Sequence, residues 1–177
     1  MILKLKRTPG LYLTGFMGSG KTTIGERLAD ELGWSFVDMD ADIVSSQGTS
    51  IADIFDTGGE EAFRSIETEC LRKRVRMIQS GRPMVVALGG GAFAQEANIR
   101  LLQDNGIAVW LDAPLELIRR RLEGATDRPL ARDPERFEQL YNTRREAYSK
   151  ADYRVEIRNN DPMDAVRQIL ELPLFTP

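Results

Sequence analysis

Residues 15–22 read Gly15-Phe16-Met17-Gly18-Ser19-Gly20-Lys21-Thr22, in which two glycines bracket four residues and are followed by a lysine and a hydroxyl residue. That is the spacing of a phosphate-binding P-loop. The glycines let successive backbone N–H groups converge on phosphate oxygens, and a helix opening at Lys21 adds the positive end of its dipole. Lys21 is placed to reach β- and γ-phosphates, and the Thr22 hydroxyl to bind Mg²⁺. Gly15, Met17, Gly18, Ser19, Gly20 and Thr23 complete the expected nucleotide cradle.

A P-loop specifies a nucleotide and not a reaction, so the acceptor has to be sought elsewhere along the chain. Asp38 and Asp40 flank Met39 at the end of an apolar run. Strand alternation would aim both carboxylates the same way, one toward a metal and one toward an acceptor hydroxyl; either could instead cap the next helix. Arg64 and Glu67 share a helix face, as a surface ion pair or as an anion-gripping arginine with its orienting partner. Gly89-Gly90-Gly91 follows a strand-like run, where missing side chains admit a ligand to the backbone.

From Arg119 to Arg145 the chain carries eight arginines and five acids. Arginine on a closing loop is a recurrent way to neutralise a phosphoryl-transfer transition state, although Arg119, Arg120 and Arg136 read as solvated helix faces. Asp112 ends another apolar run and competes with Asp38 as the metal-side carboxylate, but Asp112-Ala113-Pro114 reads better as a helix cap and first turn. Cys70, inside a helical pattern, reads as buried and inert.

The elements that must position these residues alternate. Strands are expected at Leu11–Thr14, Trp34–Val37, Met84–Leu88, Ile107–Leu111 and Tyr153–Ile157. Helices are expected at Lys21–Leu32, in short pieces over Ile43–Phe55 with a Ser50/Asp53 capping box, at Glu60–Gln79 and Gln95–Gln103, from Pro114, and at Glu135–Tyr148 and Pro162–Leu170. Strand–helix alternation predicts a parallel sheet. Gly124 to Pro134, with glycine, two prolines and alternating charges, reads as a lid loop between two helices.

Composition narrows the classes of function. The chain has 177 residues, a formal charge of −3, 42% hydrophobic and 29% charged residues. That is one domain's worth of ordinary globular sequence, without the positive field that nucleic acid or an anionic membrane would require. Without histidine and with one cysteine, a His-based triad, His-ligated zinc and an internal disulfide are excluded. No apolar run approaches a membrane span and the first residues lack a signal-peptide pattern, so a cytoplasmic setting is expected.

Taken in order, the P-loop, Asp38-x-Asp40, Phe63-Arg64-x-x-Glu67, the glycine triplet, Arg128-Pro129-Leu130 and Arg144-x-x-x-Tyr148 resemble the shikimate kinase family over nearly all of Leu11 to Leu170. The resemblance implies the α/β P-loop fold of nucleoside monophosphate kinases: three layers, a five-stranded parallel sheet flanked by helices, and a lid. Residues 1–177 would form one kinase domain, with a substrate-binding helical region at about 40–70 and the lid at about 124–134. It implies transfer of the γ-phosphoryl of ATP to a ring hydroxyl of shikimate, with Mg²⁺ held by Thr22 and Asp38, in a cytoplasmic monomer.

By the same resemblance Asp40, Lys21 and Arg128 are catalytic, and Arg121 lies by the adenine. Asp40, Arg64, Glu67, Gly89, Gly90, Gly91 and Arg144 bind the acceptor, and Arg128 descends with the lid onto ATP. Arg145, next to Arg144, leaves open which of the two touches substrate, and Arg-Pro-Leu-Ala-Arg departs from the family's usual Arg-Pro-Leu-Leu. A gluconate-type kinase would need a different acceptor site, and a nucleotide switch would not need one; no Asn-Lys-x-Asp guanine signature is present. Arg128→Ala is expected to lower kcat far more than it raises the acceptor KM, because its contact strengthens in the transition state. Steady-state kinetics showing only a raised KM would remove the lid role.

Overall fold

The computed structural model describes residues 10–124 and 133–175. The lid arginine Arg128 and most of the 124–134 loop therefore lie outside the described residues.

Strands β1 (Gly10–Thr14), β2 (Ser35–Asp38), β3 (Met84–Ala87), β4 (Ile107–Asp112) and β5 (Tyr153–Glu156) form one sheet in the order β2-β3-β1-β4-β5. Every pairing is parallel, with Leu11 opposite both Val85 and Ile107. The three inner strands are apolar and buried almost end to end, as a sheet covered on both faces requires. Edge strands β2 and β5 stay partly exposed.

The helices are α1 (Lys21–Leu32), α2 (Met39–Gln47), α3 (Ile51–Gln79), α4 (Glu96–Gln103), α5 (Leu115–Leu122), α6 (Pro134–Tyr148) and α7 (Pro162–Leu170). With the sheet they form the expected three-layer α/β fold. Helix α1 packs against α7 and against β2 and β3, while α4 packs on β4 and α3. Among the described residues no helix is long and apolar enough to cross a membrane.

Three local expectations are corrected. The region after β2 does not begin as loose helical pieces at Ile43, because α2 starts at Met39, capped by the Asp38 side chain on the Ala41 N–H. Asp40 therefore sits in the first turn of a helix, and strand alternation does not set its direction. Helix α3 begins with the expected capping box, the Asp53 N–H donating to Ser50 Oγ at 3.0 Å, runs a little past Phe55, and beyond a break continues as the expected helix over Glu60–Gln79. It breaks only at Gly59, whose φ of 73° and ψ of −175° let the chain kink between two helical parts. Finally, Asp112 caps nothing: β4 runs through it, α5 starts at Leu115, and Pro114 stands at the N-cap without a side-chain bond.

A methyl added to Gly106, just before β4, would strike the carbonyl oxygen of Gly10 and stand 2.6 Å from the Tyr12 ring. Strand β1 cannot retreat, being paired on both sides. Gly106→Ala is expected to destabilise the fold by about 1–3 kcal/mol through overpacking. An unchanged urea midpoint would show that the β1–β4 edge can shift instead.

Candidate active site

The P-loop leaves β1 in the middle of the sheet, at its carboxyl end, where open parallel sheets bind ligands. Gly15, Gly18 and Gly20 have φ of 154°, 79° and 99°, backbone states that other residues rarely adopt. Gly20 is the N-cap of α1 and offers no side chain to its first turn, which also carries no acid. The turn's N–H groups and positive dipole end are thus left for an anion. The Lys21 ammonium donates to the Gly15 and Phe16 carbonyls at 2.7 and 3.1 Å, arching over the loop it follows.

Asp38 makes two contacts at once. One carboxylate oxygen caps α2, and the other accepts from the Thr22 hydroxyl at 2.6 Å. A hydroxyl and a carboxylate meeting beside a phosphate loop are hard oxygen donors of the kind that share a divalent cation with phosphates. Asp112, the competing acid, lies elsewhere, accepting from Arg145 and Arg154.

The acceptor candidates close around the glycine triplet after β3. A methyl on Gly89 would stand 2.8 Å from Asp40 Oδ1 and 3.3 Å from Glu67 Oε2, and one on Gly91 would strike the guanidinium groups of both Arg64 and Arg144. Carboxylates from α2 and α3 therefore face one end of the triplet, and arginines from α3 and α6 face the other. Met17, Lys21, Thr22, Thr23, Asp38, Asp40 and Gly90 line a single cleft, so the phosphate loop shares its space with one acid of this group and with the middle of the triplet.

Arg64 and Glu67 are not a surface pair. Glu67 is 2% exposed and accepts from Arg64 Nη1 at 2.8 Å, while the Arg64 guanidinium stands 5.1 Å over the Phe63 ring, itself stacked on Phe55. Burial pushes the Glu67 carboxyl above its ordinary value, and the nearby Asp40 charge adds to this, against the opposing pull of Arg64 and Arg144. Of the tandem arginines, Arg144 reaches the Gly90 carbonyl at 3.4 Å, whereas Arg145 is bound to Asp112.

A second cleft joins Gly18, Gly20 and Thr23 to Arg121 and to residues 157–162 after β5. Arg121 donates to the Gly18 carbonyl at 2.8 Å, to Asn160 Oδ1 at 3.0 Å and to the Asn159 carbonyl at 3.0 Å, tying the P-loop to the β5–α7 turn. Cys70 is buried and free, with Ser46 Oγ 3.5 Å away. The solvated arginines are as expected: Arg119 pairs with Glu116 and Glu138, and Arg120 and Arg136 are exposed.

Three contributors were not found in the sequence. Tyr148 is buried and donates to the Gly90 carbonyl at 2.6 Å, although it had been read only as part of a motif. Asn98 is buried, donates to the Ala92 carbonyl and accepts from Thr68, fixing the turn after the triplet to α3 and α4. The cleft at residues 159–162 also went unseen. Its only signal was a polar run, Asn159-Asn160-Asp161, just beyond a strand.

A P-loop at the centre of a parallel sheet, beside a compact group of two acids and two arginines, defines a P-loop kinase of small molecules. Known proteins narrow the class. The family model described as Shikimate kinase matches residues 17–172. Shikimate kinase of Persephonella marina is 38% identical over 161 residues, covering 90% of this chain and 96% of that protein. That of Geobacter sulfurreducens is 44% identical over 162 residues, covering 90% and 87%. The structure of shikimate kinase from Acinetobacter baumannii in complex with shikimate superposes with a TM-score of 0.84 at 36% identity, covering 94% of this chain and 93% of that one. The chain belongs to the shikimate kinase family.

The buried Glu67 makes stability depend on pH with a definite sign. A carboxyl whose folded pKa is raised favours the fold while protonated, and that contribution is lost as pH rises through the raised value. Glu67→Gln is therefore expected to gain stability relative to the unsubstituted protein as pH rises from the ordinary glutamate range through that value. Denaturant titrations at several pH values check this, and a relative loss over the same window would mean that Arg64 outweighs burial.

Proposed function

We infer that this chain transfers the γ-phosphoryl group of ATP to a ring hydroxyl of shikimate, giving shikimate 3-phosphate and ADP. The observation that carries the reading is the shared cleft: Lys21, Thr22, Asp38, Asp40 and Gly90 line one space. A phosphoryl donor on the loop and an acceptor at the glycine triplet would be adjacent in it.

In this reading the P-loop N–H groups, the first turn of α1 and Lys21 hold the phosphates, and Arg121 lies by the adenine in the second cleft. Asp40 accepts the proton of the attacking hydroxyl. Arg64 and Arg144 hold the acid's carboxylate with charge-assisted hydrogen bonds, helped by the backbone of Gly89, Gly90 and Gly91. Glu67 orients Arg64, to which it is already bonded. Arg128, outside the described residues, brings a further positive charge from the lid.

Thr22 and Asp38 fit a Mg²⁺ site, being two hard oxygen donors in contact beside the phosphate loop. When bound, the ion neutralises charge on the β- and γ-phosphate oxygens. In this reading the monomer is the working unit.

ADP formation from Mg-ATP is expected to rise strongly with shikimate and not with gluconate. Lys21→Met is expected to lower that shikimate-dependent rate by a factor on the order of 100–1,000, as loss of one transition-state donor does. A coupled ADP assay decides both points. No response to shikimate would remove the acceptor assignment, and undiminished turnover by Lys21→Met would remove the phosphate role.

A further inference from the structure

Helix α6 carries two arginines in succession, and neighbouring side chains on a helix point about 100° apart. Only one can face Gly90. The choice is made at the end of β4, where Asp112 is 7% exposed and receives Arg145 on both carboxylate oxygens, with Nη2 at 3.1 Å. Arg154 of β5 donates to the same carboxylate, its Nε at 2.8 Å.

Two aromatic side chains flank the Arg145 guanidinium, which otherwise stays partly exposed. It lies 4.8 Å from the centre of the Trp110 ring and 5.3 Å from that of Tyr141, and Nη1 donates to the Tyr141 hydroxyl at 2.9 Å. That hydroxyl in turn donates to the Ala113 carbonyl at 2.8 Å. Trp110 and Asp112 share one face of β4, two residues apart. Tyr141, Arg145 and Tyr148 follow one face of α6 and reach the end of β4 and the residue beyond it, Tyr141 at Ala113, Arg145 at Asp112 and the Tyr148 ring 6.1 Å from that of Trp110.

With Arg145 held there, Arg144 turns toward the Gly90 carbonyl, and Tyr148, one turn further on, donates to the same oxygen. We propose that Asp112 is a positioning residue for the acceptor: by capturing Arg145 it sets the rotation of α6 and delivers Arg144 and Tyr148 to the glycine triplet. This rests on the acceptor reading given above. Asp112 itself lies in a separate groove, with Tyr141, Arg145 and Arg154, that contains no P-loop residue. Tyr141 also packs edge-to-face on Phe16 of the P-loop, with ring centres 5.3 Å apart, so the influence of Asp112 should fall mainly on the acid and less on ATP.

Removing the Asp112 charge leaves Arg145 without its carboxylate and beside Arg154, which keeps only Glu156 at 3.8 Å, so α6 loses the ion pair that holds this rotation. Asp112→Asn is expected to weaken shikimate binding about tenfold, measured calorimetrically, since small misplacements of a gripping group are costly. ATP affinity should stay within about twofold, and Asp112→Glu, which restores the charge, should recover most of the loss.

If Asp112→Asn does not fold, Arg145→Gln carries the same test and the same expected split. Unchanged shikimate affinity in a folded variant, or equal weakening toward shikimate and ATP, would overturn the proposal. Absence of shikimate binding by the unsubstituted protein would overturn the acceptor reading and this inference with it. Normal binding there beside an unaffected Asp112→Asn variant overturns this inference alone.

Discussion

Two guanidinium groups, from Arg64 of α3 and Arg144 of α6, approach the backbone of Gly91 so closely that a side chain there would push both aside. The rest of the structure is arranged to permit that approach. Strand β3 delivers the triplet to the carboxyl end of the sheet, beside the P-loop that leaves its neighbour β1. Asn98 and Thr68 hold the turn beyond it, and Tyr148 holds the Gly90 carbonyl. Like charges so close together are tolerable only with anions at hand, and Glu67 and Asp40 stand at the other end of the same three residues.

The two acids are not equivalent. Glu67 is buried against Arg64, and its carboxyl is raised by desolvation, whereas Asp40 lines the open cleft with Lys21 and Thr22. One environment suits a fixed orienting partner and the other suits a group that meets an acceptor. Arg145 of α6 and Arg154 of β5 are bound to Asp112, so of the tandem pair only Arg144 reaches the Gly90 carbonyl. The nucleotide side relies less on side-chain charge. There the positive-φ glycines and the uncapped first turn of α1 present backbone dipoles, which need no rearrangement when phosphate arrives.

Much of this was legible in the sequence because it is local. The P-loop glycines, the apolar runs of β1, β3 and β4, and the Ser50/Asp53 cap each depend on residues a few positions apart. The errors fell where local rules compete. Asp38 ends a strand and caps a helix at once, so extending strand alternation to Asp40 failed at the residue where the backbone changes state. Asp112-Ala113-Pro114 carries every local mark of a helix start, yet two arginines, from α6 and β5, claim the carboxylate. Charge pairing across elements outweighed a cap that could form anywhere along a surface.

The sequence by itself determined that a phosphate loop opens a parallel α/β chain, and that acids, arginines and a glycine triplet follow it in the order of one family. Which of those residues share a cleft was decided only by the tertiary structure. Arg64 and Arg144 are separated by nearly half of the chain, and Gly90 and Tyr148 by 58 positions, and neither spacing nor periodicity relates them. Helix rotation chose Arg144 over Arg145, and that rotation depends on a carboxylate at the end of β4. Long-range pairing of this kind is an energy of the packed state, and no short window of sequence contains it.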